Sequence, residues 1–168
     1  RHDVFEAGLI AATRALHVRA QRVTSNLLGE AAVTSANGNY TRADVCLPAY
    51  YAVNRHLFLD VAIADPCCNT ALAGTTSSSV QLGAAAELKA SRKTTKYAHL
   101  CEGVGSRFTP AVIERFGTCC HSLVGFIRMI AGTGDRDPLC DSDFAFSASS
   151  RATYVAQRCV FAAVLADA

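Results

Sequence analysis

At 168 residues the chain has the length of one domain, and an apolar share of 51% against a charged share of 18% excludes a disordered character. A formal net charge of only +2 supplies no global basic field, so a nucleic-acid footprint has to come from local clustering. No apolar run approaches the roughly 18 residues of a membrane span, so no membrane partner is expected.

In chain order, Val4, Ala7, Ile10, Ala11, Ala15 and Val18 recur at helical spacing and predict an amphipathic helix from Asp3 to Ala20. Gln21 to Leu28 reads as a strand, and the asparagines and glycine of Ser35 to Asn39 as a turn. Ala43 to Leu47 is a short strand stopped by Pro48, and Leu57 to Ala64 is the strongest strand pattern, ended by Asp65-Pro66. The serines of the loop from Gly74 to Ser79 are candidate caps for a long helix, about Val80 to Cys101, which Gly103 and Gly105 stop. Arg107 to Glu114 is β-branched and aromatic enough for a further strand. Helices near Cys119 to Ala131 and Ser149 to Ala166 follow, joined by a loop from Gly132 to Asp143. The order of elements predicts an α/β domain with a mixed central sheet and a helical crossover between its last two strands.

Eight cysteines include the adjacent pairs Cys67-Cys68 and Cys119-Cys120, and no CxxC occurs. That pattern predicts reduced, mostly buried thiols and an intracellular compartment; a cysteine-based zinc or redox module is the competing reading. The chain begins at Arg1 with no charged and apolar leader after it, so a single domain spanning 1–168, cut from something longer, is expected.

Asp60 stands inside the apolar run Leu57 to Ile63, where an unpaired buried carboxylate would be costly. Asp44 has the same character in the preceding strand. If the two strands are neighbours, their carboxylates can meet and offer hard oxygen ligands to Mg²⁺ or Mn²⁺. On the long helix Lys89, Lys93 and Lys96 share one face, bordered by Arg92, with Glu87 as the acid nearby. A lysine beside the carboxylates could orient water and stabilise charge on a phosphoryl transition state, although a solvated helix face is the ordinary explanation. Glu30 and Glu114 are possible third carboxylates. His17, His56, His99 and His121 lack a partner at ligand spacing and read as structural.

Four segments, Arg1-His2-Asp3, Arg42-Ala43-Asp44-Val45, Leu59-Asp60-Val61-Ala62-Ile63 and Lys93-Thr94-Thr95-Lys96-Tyr97, occur in this order. Together they resemble the restriction-like endonuclease domain at the C-terminus of some non-LTR retrotransposon polyproteins, which is similar in fold to the PD-(D/E)xK nucleases. The resemblance implies a restriction-endonuclease-like αβββαβ core with extra C-terminal helices. It implies Asp44, Asp60, Lys93 and Lys96 as catalytic residues, with Lys93 and Lys96 on the KxxKY signature. Asp44, Asp60, Val61 and His2 would form the metal set, His2 matching the position of the histidine of viral cap-snatching endonucleases. Ala43 replaces the usual proline, and Ala62 stands where related enzymes carry a strand lysine, so catalysis would rest on the helix. The expected function is Mg²⁺- or Mn²⁺-dependent nicking of DNA, with RNA a further possible substrate. The expected partner is a reverse transcriptase domain of the same polyprotein, and the expected location is the nucleus. The alternative is an inactive nuclease-like fold that binds nucleic acid or holds a polyprotein together.

Overall fold

The computed structural model describes residues 2–23, 43–68, 72, 81–132, 153 and 156–160. Within them the elements are α1 (His2–Ala15), β1 (Gln21–Arg22), β2 (Val45–Ala52), β3 (Arg55–Ala64), α2 (Ala84–Gly103), β4 (Arg107–Glu114) and α3 (His121–Gly132). Residues 156–160 are helical as well. The four strands form one mixed sheet in the order β1-β2-β3-β4, antiparallel up to β3 and parallel between β3 and β4. α2 makes the crossover that a parallel pair requires. The fold is thus α/β, a four-stranded mixed sheet flanked by helices.

Bulk selects the buried face of α1. Phe5, Leu9, Ala12 and Leu16 are buried at helical spacing, while Val4, Ala7 and Ala11 of the expected stripe are exposed. The helical period holds, but its phase follows the larger side chains, each contributing roughly 1.5–3 kcal/mol when fully buried. The helix stops at Ala15, short of Ala20, because His17 turns left-handed at φ 60 and Leu16, His17 and Val18 donate back to the last turn. Of the expected strand from Gln21 to Leu28, Gln21 and Arg22 pair with β2, and residues 24–28 lie outside the described set.

β2 does not stop at Pro48. It continues to Ala52, with its register shifting between Leu47 and Ala52 so that no ladder bond is asked of the proline nitrogen. Ala49, at φ 52, sits in this irregularity, and its N–H donates to the His56 ring at 3.1 Å. A two-residue turn closes the hairpin, with Asn54 taking the left-handed conformation at φ 62 and Ala52 facing Arg55.

β3 lies between β2 and β4 and decides the layering. Its successive side chains point to opposite faces. Phe58 packs with Cys101 of α2, and Asp60 meets Lys93 of α2. Leu57, Leu59 and Val61 therefore face the other layer, where the main core also holds Phe5 and Leu9 of α1. α2 begins at Ala84, later than expected; residues 74–79 lie outside the described set. Its first turn follows Gly83, at φ 86, which makes no side-chain cap. The cap comes from a distant strand: buried Glu114, at the end of β4, accepts the N–H groups of Ala85 at 3.1 Å and Ala86 at 3.4 Å. The two N–H bonds and the positive end of α2 offset part of the cost of burying this carboxylate. Among the described residues no helix is long and apolar enough to cross a membrane.

Candidate functional site

Asp44 lies one step before β2, where the ladder with β3 runs out. Its N–H donates to Leu59 O at 3.0 Å, and its carbonyl accepts Val23 N–H at 2.8 Å. In place of a further strand acceptor, its Oδ2 takes the N–H of Val61 at 2.7 Å. That bond turns the carboxylate across the sheet toward Asp60, the residue before Val61. The N-terminal turn of α1 approaches from the other side, bringing His2 Nε2 to 3.1 Å from the same Oδ2.

Asp60 is 4% exposed in the middle of β3. Lys93, on the face of α2 turned to the sheet, donates from Nζ to Asp60 Oδ2 at 2.5 Å. Burial pushes the Asp60 carboxyl up to about 6, its hydrogen bond with Asp44 adds to the rise, and Lys93 opposes it. Asp44, Asp60 and Lys93 are therefore brought together, as strand neighbours and a helix crossing over them require.

The three lysines of one helical stripe end in three different places. Lys89 donates to Ile63 O at 2.8 Å, at the end of β3, and burial together with the charge of Lys93 holds it below the ordinary lysine range. Lys93 takes Asp60. Lys96 does not reach the carboxylates: it lies over the Tyr97 ring, 4.8 Å from the centroid, one turn too far along the helix. Val61, expected among metal ligands, has its side chain buried at 1% exposure and its N–H committed to Asp44. Only its carbonyl oxygen has ligand chemistry.

A buried acid that the sequence pattern does not single out completes the group. Glu6, one turn after His2, is 3% exposed and is held by Arg22 of β1 through Nε to Oε1 at 2.6 Å and a second bond to Oε2 at 2.9 Å. Ligand atoms of His2, Glu6 and Asp44 lie within 4.8 Å of one another. The available signal is the spacing of His2 and Glu6, i and i+4 on one helix face, which an apolar stripe placed on another phase conceals. Glu114 is no third carboxylate of the site, since the α2 cap occupies it, and Glu30 lies outside the described residues. His56 accepts Ala49 N–H, and His121 is tied to Glu87, both away from the cluster.

Two concavities flank Lys89 and Lys93. One, of about 400 Å³, is lined by His2, Val61, Ala62 and Arg115 among others. The second, of about 490 Å³, runs along α2 past Arg92, Lys96, Leu88 and Tyr97. The second, with Lys89, Arg92, Lys93 and Lys96 in its lining, is a cationic trough, and Lys93 connects it to Asp60. The described cysteines are free thiols; burial pushes Cys46 and Cys101 up to about 11 and Cys159 up to about 12, which keeps them protonated and inert. No family model, curated protein or solved structure matches the chain.

Proposed function

We propose that this domain is a metal-dependent endonuclease that hydrolyses DNA phosphodiester bonds. The observation that carries the reading is the meeting of Asp44, Asp60 and Lys93 at one point from two strands and a helix, beside a cationic trough. The donor chemistry fits a divalent cation, Mg²⁺ or Mn²⁺: two carboxylates supply hard oxygens and His2 an imidazole nitrogen. Coordination at His2 Nε2 needs the ring proton on Nδ1, so a bound cation would replace the Nε2 contact with Asp44, and the Asp3 carboxylate 3.7 Å from Nδ1 would steady the proton there. A cation held there supplies charge neutralisation and Lewis-acid polarisation at the phosphate.

The chain's own groups do the rest. Asp44 and Asp60 hold the cation and remain fixed, Asp44 by Val61 N–H and Asp60 by its strand. Lys93, 20% exposed and anchored on Asp60, presents a positive charge where negative charge develops on the phosphoryl oxygens. Lys89, Arg92 and Lys96 line the approach and hold the phosphates on either side of the one attacked. In a retroelement polyprotein such a nick would prime a neighbouring reverse transcriptase domain, and the work would be done in the nucleus.

The test is nicking of supercoiled plasmid with Mg²⁺ or Mn²⁺. Cleavage should vanish with a chelator and fall by at least about 10³-fold in Asp60→Ala. Equal nicking by wild type and Asp60→Ala defeats the proposal. A second reading, a nuclease-like fold that binds nucleic acid without cutting it, is favoured by Lys89, Arg92 and Lys96, trough cations that no ion pair ties to Asp44 or Asp60 among the described residues. It predicts binding in chelator that weakens steeply with salt, and no nicking with either metal.

A further inference from the structure

The carboxylates of the site are not equally available. Both oxygens of Glu6 are taken by Arg22, and one oxygen of Asp60 is taken by Lys93. Among the described residues, the Asp44 carboxylate bonds to Val61 N–H and His2, both through Oδ2, and to Asp60. Among the described residues, ionised Asp3, Glu6, Asp44 and Asp60 bring four negative charges, of which Arg22 and Lys93 neutralise two. With His2 neutral, two negative charges are left, which a single divalent ion balances. A second would leave two positive charges, beside acids that are 3% and 4% exposed and so poorly screened by water.

We propose that the site takes one divalent ion, and that Arg22 makes it so by occupying Glu6, the carboxylate a second ion would need. This rests on the metal-dependent nuclease reading. Arg22 suits that role because a guanidinium cannot be deprotonated in a protein and its fork matches the carboxylate edge. Asp3 at 3.2 Å and the charge of Asp44 draw it to the same place. It is a half-exposed cation whose fork closes over the buried Glu6 carboxylate. Glu6, although within 4.8 Å of His2 and Asp44, is therefore a partner of Arg22 and not a ligand.

The test is titration of the full 168-residue chain with Mn²⁺ in the absence of nucleic acid, followed by calorimetry and by the electron paramagnetic resonance signal of free Mn²⁺. Wild type should bind one ion. Asp44→Asn should weaken it by at least about 100-fold, whereas Glu6→Gln, which keeps one of its two bonds to Arg22 but loses a charge, should still bind one ion with a loss of no more than about tenfold. Arg22→Gln should gain a second, weaker ion that Arg22→Gln combined with Glu6→Gln loses again. Two ions on wild type, or a Glu6→Gln loss as large as that of Asp44→Asn, overturns the proposal. Binding of no ion at all overturns the nuclease reading and this proposal with it, so the two failures are told apart by the stoichiometry. If Arg22→Gln does not fold, the comparison of Glu6→Gln with Asp44→Asn still decides.

Discussion

The two halves of the site are held by opposite means. On the side built from α1, β1 and the entry to β2, the acids are settled by directed hydrogen bonds: Val61 N–H and His2 on Asp44, the Arg22 fork on Glu6. On the side built from β3 and α2, Asp60 sits in an apolar strand with one ammonium, and burial wins over that partner, leaving its carboxyl at about 6. In the first half Glu6 is satisfied as it stands, while Asp44, held by Val61 N–H and without a cation of its own among the described residues, is left as a ligand. The second half is charged only at a cost and gains from an added cation. A site of this kind puts its binding energy where an ion or a phosphate will be, because an acid already fully neutralised gives a cation little reason to bind.

The largest test of that contrast is the lysine. Lys93→Met should lower the nicking rate by about 10²–10³-fold, the usual loss when a preorganised cation is removed from a developing charge, whereas Lys96→Met should cost less than about tenfold. Single-turnover kinetics on a nicked-circle assay would read both, and equal losses would mean that the stripe acts only as a phosphate-binding surface.

Next in size is the pH dependence of the metal-free protein. Asp60 titrates near 6 when folded against a usual value of 3.8, so its contribution to stability is complete below about pH 4 and is lost as pH rises through about 6. Above that, ionised Asp60 should cost on the order of 3 kcal/mol. In chelator, Asp60→Asn should therefore melt higher than wild type at pH 7.5, with the gap closing toward pH 4. Adding Mn²⁺ should raise the wild type alone. Asp44→Asn, on the hydrogen-bonded side, should show no such reversal; the same profile in both variants would erase the distinction between the halves.

The smallest effect lies behind the lysine. Glu114→Ala removes the acceptor of two buried N–H groups at the start of α2 and should destabilise the fold by about 1–3 kcal/mol in chemical denaturation. Glu114→Gln, still an acceptor, should recover much of it. No loss in the alanine variant would show that the long helix, and with it Lys93, is positioned by packing alone.

Some of this is readable in the residues. Asp60 is, because an acid in the run Leu57 to Ile63 needs a partner wherever the strand is placed, and local chemistry alone makes that statement. The strand pattern of Arg107–Glu114 and the stripe of Lys89, Lys93 and Lys96 are readable for the same reason, being properties of spacing. The extent of α1 and the passage of β2 through Pro48 are not, since both depend on which residues find a neighbour: His17 turning the chain, and a register shift excusing the proline.

By itself, then, the sequence determined the mixed α/β order, the misplaced aspartate and the row of cations, because periodicity and the cost of burying charge are set by residues near one another in the chain. Which lysine meets Asp60, that Asp44 is aimed by Val61 N–H, that Glu6 belongs to Arg22 and that Glu114 caps a helix 28 or 29 positions away were decided by the tertiary structure. Those are pairings between elements, fixed by how a helix crosses a sheet and where a ladder ends, and no spacing along the chain encodes them.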